Sequence, residues 1–296
     1  MQDFSQESTM STGAVTIDPD VGGDYPTWLY DFATIAADNV SGFDAVSDAD
    51  IELFHERGYL VVRNAFTPEE TQSGLNGLVD LIHGKNPDFK GLMFESAVKD
   101  RLKELSNEEK MDSLRKLMWF VDYEERLKAM AEHPKLLGVL RRIIGSNDLT
   151  MFQDMGLIKP PLIGREKPWH QDLAYFNLPI DTTVVGAWIA FDSVDTENGC
   201  MMVMPGSHKA GPTVHFRRRD WQICDTHVAR DAAVAVPMQP GDCLFFHGLI
   251  HHGTPANRTD RRRRAVQYHY RATDVEKMSQ EYRLSFFGGE GLNVEC

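Results

Sequence analysis

The sequence predicts an α+β protein, mainly β in its second half, with helices packed on an antiparallel barrel or jelly roll. Three observations carry that expectation. From residue 149 onward the apolar residues fall in short runs, alternating or unbroken, that are punctuated by Gly, Pro, Asn and Asp. Upstream of that point the periodicity is helical and the helix starts carry capping residues. With 296 residues and no visible repeat or dividing linker, one large domain accounts for the chain. The expected division is an N-terminal arm over residues 1–45 and a single domain over residues 46–296.

The elements follow in order. The arm is rich in Ser, Thr, Gly and Asp, and its one anchor is the aromatic patch Tyr25, Trp28, Leu29, Tyr30 and Phe32. Ser47-Asp48-Ala49-Asp50 caps a short helix carrying Ile51, Leu53 and Phe54 that stops near Gly58, and Tyr59-Leu60-Val61-Val62 reads as a buried strand. Thr67-Pro68-Glu69-Glu70 starts a second helix running to about His83, with proline in its first turn and carboxylates at its positive end. Residues 85–113 show no clear period and are expected to be loop with helical pieces. Residues 122–131 and 134–145 read as helices, the second with the stripe Leu136, Leu137, Val139, Leu140, Ile143 and Ile144. Strands are expected at 149–159, 168–175, 183–192, 199–204, 233–237, 242–250 and 263–271.

Composition narrows the function. A net charge of −13 argues against general nucleic-acid binding, which needs a basic surface. Apolar runs such as Leu244-Phe245-Phe246 are too short to span a bilayer. Cys200, Cys224, Cys243 and Cys296 have neither metal-site nor disulfide-framework spacing and are expected to be buried thiols. Asp3 and Glu7 stand where a secretory signal would be basic, so the expected compartment is the cytoplasm.

The stretch that points to chemistry is Trp169-His170-Gln171-Asp172. In an extended segment residues i and i+2 share a face, so His170 and Asp172 can address one point. Two imidazoles and one carboxylate on one side of a metal ion, with the other positions open, form the facial triad of non-heme Fe(II) oxygenases. The second imidazole would come from His247, His251 or His252, which crowd one later strand. By alternation His247 and His251 share a face and His252 lies on the other. The run Arg261-Arg262-Arg263-Arg264 is either a solvated basic stretch or a source of one guanidinium turned inward to take a carboxylate by a two-point contact.

Taken together these stretches resemble the phytanoyl-CoA dioxygenase family of Fe(II)- and 2-oxoglutarate-dependent oxygenases. The matching segments are Lys159-Pro160-Pro161; Trp169-His170-Gln171-Asp172-Leu173 with Tyr175-Phe176; Gly186-Ala187-Trp188; Asn198-Gly199-Cys200 leading to Pro205-Gly206-Ser207-His208-Lys209; Gly241-Asp242 before Phe245-Phe246-His247; and His252-Gly253-Thr254 before Arg263-Arg264-Ala265. The resemblance implies a double-stranded β-helix, a cupin-like jelly-roll barrel with flanking N-terminal helices. It implies His170, Asp172 and His252 as iron ligands and Arg263 as the holder of the distal carboxylate of 2-oxoglutarate, with Thr254 adding a hydroxyl. Lys116, Met155, Gln171 and Trp188 would line the cofactor pocket, and Arg262 or Arg264 could stand in for Arg263 if the register differs by one. The implied cofactors are Fe(II), 2-oxoglutarate and O2, and the implied reaction is hydroxylation or another oxidation of a small molecule. Because Asp172 is present where halogenating relatives have a small residue, oxygenation is expected.

Substrate walls are expected from Met118-Trp119-Phe120, from residues 211–232 with Arg217, Arg218, Arg219 and Trp221, and from Phe286-Phe287-Gly288-Gly289. Two other readings stay open at this point: an inactive cupin-like binding protein, and a jelly-roll metalloenzyme that does not use 2-oxoglutarate. Oligomeric state is not legible in the sequence.

Overall fold

Two β-sheets face each other in the computed structural model of the protein, which describes residues 16–17, 23–36 and 40–289. In chain order the strands of three residues or more are β1 (Tyr59–Arg63), β2 (Leu92–Phe94), β3 (Leu114–Met118), β4 (Leu149–Lys159), β5 (Lys167–His170), β6 (Val185–Ala190), β7 (Met201–Val203), β8 (His215–Arg217), β9 (Trp221–Ile223), β10 (Val234–Val236), β11 (Cys243–His247), β12 (His252–Thr254) and β13 (Arg263–Ala272). The larger sheet runs Thr16–Ile17, β2, β3, β4, β13, β6, β11, β1, Val40–Ser41. The smaller runs Thr34–Ile35, β10, β7, β12, β5, and β8 pairs with β9 as a separate hairpin against β5. The strands of three residues or more pair antiparallel, while the two-residue strands add in parallel at sheet edges. The architecture is the jelly roll expected, built as two facing sheets and not as one closed ring of hydrogen bonds.

Alternation along the strands decides which side chains face which layer. On the larger sheet Leu60, Val62, Ala187, Ile189, Cys243, Phe245, Val266, Tyr268 and Tyr270 pack into one core with the helices. Their neighbours Tyr59, Val61, Trp188, Ala190, Leu244, Phe246 and Ala265 face the smaller sheet and form a second core with Met202, Val203, Ala235 and Ile250. Each large apolar side chain so removed from water contributes about 1.5–3 kcal/mol. Tyr268 and Tyr270 reach the helical layer and donate their hydroxyls to the Leu127 and Ala131 carbonyls at 2.9 and 2.7 Å.

The helical layer contains α1 (Asp48–Arg57), α2 (Pro68–Ile82), α3 (Asn107–Met111), α4 (Glu125–Ala131) and α5 (Pro134–Ile144); α6 (Gln280–Phe287) lies elsewhere, near Asp172. Ser47 and Thr67 form capping boxes with Asp50 and Glu70, and α1 ends on Gly58 in the left-handed conformation. Pro134 opens α5, whose Leu136, Val139, Leu140 and Ile143 are buried.

Several expected boundaries move. The strand expected at 168–175 is β5 followed by a 3-10 turn over Asp172–Tyr175. The strand expected at 242–250 stops at His247, because residues 248–250 turn, and a separate strand β12 carries His252. Residues 85–113 hold β2, a 3-10 helix over Ser96–Glu104 and α3, and residues 211–232 hold the β8–β9 hairpin. Much of the expected arm, including Asp3 and Glu7, lies outside the described residues, as does Cys296. Cys200, Cys224 and Cys243 are buried free thiols. Among the described residues no helix is long and apolar enough to cross a membrane.

Candidate active site

His170 is the last residue of β5, and His252, the first of β12, stands directly opposite it in the antiparallel ladder. Their ring centroids are 4.2 Å apart. Gly253 lets the two strands come this close, since a Cβ there would meet the Trp169 amide nitrogen at 3.1 Å. Gln171 keeps an extended backbone (φ −117°, ψ 130°), so Asp172 falls on the same side as His170 although it begins a turn. Leu173, one residue on, is held by the Gly248 carbonyl at 2.8 Å and packs under Phe287 of α6.

The result is a converging donor set. His170 Nε2 and His252 Nε2 lie 3.2 and 3.5 Å from Asp172 Oδ1. Adjacent ligands of an ion bonded at about 2.1 Å stand about 3 Å apart, so the three groups fit one metal ion. Each imidazole has its Nδ1 against a backbone carbonyl, Pro168 at 2.7 Å and Ile250 at 3.1 Å. That contact places the proton on Nδ1 and leaves the Nε2 lone pair for the centre. Burial, and then the neighbouring His252, push His170 down to about 4, so it is neutral at neutral pH. Burial alone would raise the Asp172 carboxyl, but His252 and His269 hold it well below the usual carboxylate range.

Two residues that the sequence reading did not single out complete this arrangement. His269 Nε2 lies 2.7 Å from Asp172 Oδ2, and Gln267 donates to the same oxygen at 3.2 Å. Asp172 thus has one oxygen tied to β13 and the other turned to the imidazoles. The available signal was spacing: Gln267 and His269 follow Arg263 by four and six residues on one strand, and even offsets share a face.

That shared face runs from His269 past Ala265 to Arg263. The Arg263 guanidinium is buried above the Trp188 ring, 5.6 Å from its centroid, and donates to the Leu157 carbonyl at 3.1 Å. Among the described residues its buried Nε has no acceptor, and burial pushes the group down to about 9. Lys159, opposite Arg263 in the ladder, is also buried, and burial followed by the charge of Arg263 lowers its amine well below the usual range. An unpaired buried cation costs several kcal/mol; a carboxylate brought by a ligand would relieve that cost. The other members of the run are occupied: Arg261 pairs with Asp195 at 2.7 Å, Arg262 with Glu108 at 2.8 Å and with Asp112, and Arg264 with Asp192 through two bonds of 2.9 and 2.7 Å.

The remaining predicted pocket residues divide. Met155 stands in register with Gln267, which registers with Trp188, and Lys116 registers with Leu157, which registers with Ala265, so all three predicted residues share the inner face. Thr254 is buried two residues beyond His252, past an irregularity in the β12–β5 ladder. Gln171 is not brought to the centre. Its amide donates to the Gly211 and Leu249 carbonyls at 2.9 and 2.7 Å and accepts from the Thr213 amide at 2.8 Å, because residue i+1 of an extended segment points to the opposite face. His247 and His251 are likewise structural, the first accepting from the Leu249 amide and the second bonded to Thr213.

The expected substrate walls are mostly committed elsewhere. Phe120 and Phe287 are buried in cores. Arg219 makes a bidentate pair with Asp225, at 2.8 Å through each nitrogen, and a further bond to Glu166, so the Arg217-Arg218-Arg219 triplet does not line a cleft as a group. Trp119 is 46% exposed and has a left-handed backbone, with φ of 61°. The arm does anchor: Trp169 donates to the Leu29 carbonyl at 3.0 Å and stacks on Tyr30, bracing β5 from the side opposite His170.

Comparisons with known proteins agree with this geometry. The sequence profile of phytanoyl-CoA dioxygenase (PhyH) matches residues 54–265. A probable phytanoyl-CoA dioxygenase of Caenorhabditis elegans is 29% identical over 260 residues, covering 80% of this chain and 81% of the relative. The peroxisomal phytanoyl-CoA dioxygenase of Bos taurus is 31% identical over 247 residues, covering 78% of this chain and 71% of the relative. Among solved structures, the non-heme alpha-ketoglutarate-dependent carbocyclase SnoK from nogalamycin biosynthesis superposes with a TM-score of 0.62 at 22% identity, covering 86% of this chain and 96% of that one. EctD from S. alaskensis, with 2-oxoglutarate and 5-hydroxyectoine, gives 0.61 at 19% identity, covering 93% and 89%. At such identities these two structures speak to the fold.

Proposed function

The chain belongs to the phytanoyl-CoA dioxygenase family, and from that premise we propose that His170, Asp172 and His252 hold its iron while Arg263 holds the distal carboxylate of 2-oxoglutarate. The protein is an oxidoreductase, an Fe(II)- and 2-oxoglutarate-dependent dioxygenase that acts on a small molecule. The observation that carries the residue roles is the pairing of a buried donor triad on the smaller sheet with a buried guanidinium on the larger sheet that has no carboxylate partner among the described residues.

When bound, Fe(II) with 2-oxoglutarate and O2 supplies the oxidation of a C–H bond, with succinate and CO2 as the co-products. The chain's own residues do the positioning. The Pro168 and Ile250 carbonyls fix the two imidazole tautomers, and His269 and Gln267 hold Asp172 Oδ2 so that Oδ1 turns to the centre. Trp188 and Lys159 flank Arg263, and Thr254, Lys116 and Met155 are proposed as further walls of the co-substrate pocket. Phe246, packed 4.9 Å from His252, helps exclude water from the ligand set.

The test is succinate formation from 2-oxoglutarate by purified protein. It should require iron and fall to background in His170→Ala and Asp172→Ala; turnover that persists in both variants would remove the proposal. Phytanoyl-CoA, the substrate in the relatives' names, is one candidate to include. We also propose that the enzyme works in the cytoplasm, although several relatives are named peroxisomal. Imaging of a tagged full-length chain decides between the two compartments.

A further inference from the structure

One strand, β13, carries two arginines that enter no ion pair among the described residues, one on each side of the donor triad. Arg263 marks the co-substrate end. At the other end the ladder with β4 slips: Gln153 faces His269 but Met151 faces Tyr270, leaving Phe152 as an extra residue without a partner. A bulge of this kind re-aims a side chain and is frequent beside active sites. Met151 packs on the helix-side core, whereas the Phe152 ring turns to Phe176, with centroids 4.9 Å apart, and to His269 at 6.0 Å. Phe176 in turn stands 5.0 Å from His269, the residue that holds Asp172.

Arg271 closes this group. Tyr268 and Tyr270 point to the helices, so alternation puts Arg271 on the face of His269, and its guanidinium lies 5.9 Å from the Phe152 centroid. Among the described residues it donates only to nearby carbonyls, Ala272 at 2.8 Å and Thr273 at 3.2 Å, and its buried Nε has no acceptor there. Among the described residues, buried His269 Nδ1 has no partner either. Phe152, Phe176 and Arg271 are each only partly buried, so the group is accessible from one side.

We propose that the substrate binds at this end of β13, with an apolar body on Phe152 and Phe176 beside His269 and an anionic group, carboxylate or phosphate ester, on Arg271. The assignment rests on the reaction proposed above and deepens it: the co-substrate's anion takes Arg263, the substrate's takes Arg271, and the metal site lies between them.

The experiment uses full-length protein and a panel of medium-chain and aryl-alkanoic acids, the matching alkyl phosphates, and the methyl esters of the acids as neutral controls. Binding is read by saturation-transfer NMR, independently of turnover, and coupling by succinate release above the substrate-free rate. Acids or phosphates should bind and stimulate succinate release while the esters do not, and which of the two anions does so identifies the source of the charge. Arg271→Gln should weaken binding of the anionic members about ten- to a hundred-fold, the usual value of a charge-assisted contact, with Arg271→Lys between. Equal binding of esters and acids, no binding of any anion, or an unaltered Arg271→Gln would each overturn the proposal. The visible absorbance of the anaerobic Fe(II)–2-oxoglutarate complex separates the two levels. Its absence in wild type counts against the dioxygenase site, whereas its presence without an anion preference counts against Arg271 alone.

Discussion

Asp172 draws its role from residues on another strand. With Oδ2 held by His269 at 2.7 Å and by Gln267 at 3.2 Å, its orientation depends on β13. Removing a group that orients a metal ligand typically costs 10- to 100-fold in affinity. His269→Ala should weaken Mn(II) or Ni(II) binding by about that factor in calorimetric titration, and Gln267→Leu by less; unchanged affinity in His269→Ala would contradict the orienting role. Arg263→Gln should raise the KM for 2-oxoglutarate about 10- to 100-fold, as loss of a buried charged contact does, with Arg262→Gln near wild type because Arg262 already serves Asp112 and Glu108. Steady-state kinetics in 2-oxoglutarate checks both. At this scale the sequence made His170 and Asp172 visible as candidates, because a His-x-Asp pair carries recognisable chemistry, while only the family resemblance picked Arg263 out of its run. It hid His269 and Gln267, whose work is to hold another side chain, and it misplaced Gln171, whose neighbours in the chain are proposed ligands but whose side chain faces the other way.

The elements that carry these residues depend on a close approach between β6 and β11. A Cβ on Gly186 in β6 would collide with the Phe246 ring of β11, and that ring packs 4.9 Å from His252 and 6.3 Å from His269. Gly186→Ala should cost about 1–3 kcal/mol, the usual penalty of overpacking, measured by urea unfolding, and should weaken metal binding because the displaced ring presses on His252. A variant as stable as wild type would show that the ring has room to move. The longer strands β4, β6 and β13 were legible within a few residues of their ends. The short strand β3 (Leu114–Met118) was not, since Arg115 and Lys116 interrupt its apolar pattern. β12 was missed because a three-residue strand beginning at a turn leaves no periodicity to detect.

The whole molecule is built as a helical layer, a large sheet and a small sheet with a hairpin beside it, and the imidazoles it buries have a consequence for stability. Burial pushes His215 down to about 3 and His247 down to about 4 from an ordinary value of 6.5. Between pH 6.5 and 4 the unfolded chain therefore binds protons that the folded chain cannot. Stability contributed by keeping these groups neutral is complete above pH 6.5 and is lost as the pH falls toward 4. The melting temperature of metal-free protein should drop on moving from pH 7 to pH 5, and a flat profile by calorimetry would show that the rings are solvated. The class of fold was readable from the change of period near residue 149, but the pairing of distant strands that sets His252 opposite His170 was not, since strand order is not written in local pattern. His170, Asp172, His252 and Arg263 are proposed to form one iron and 2-oxoglutarate site. Anaerobic titration of Fe(II) into wild-type protein with 2-oxoglutarate, followed by visible absorbance, tests it most directly. A saturable band of one iron per chain that is lost in Asp172→Ala and needs far more 2-oxoglutarate in Arg263→Gln is the predicted result. No band in wild type, or the same band in both variants, would contradict it.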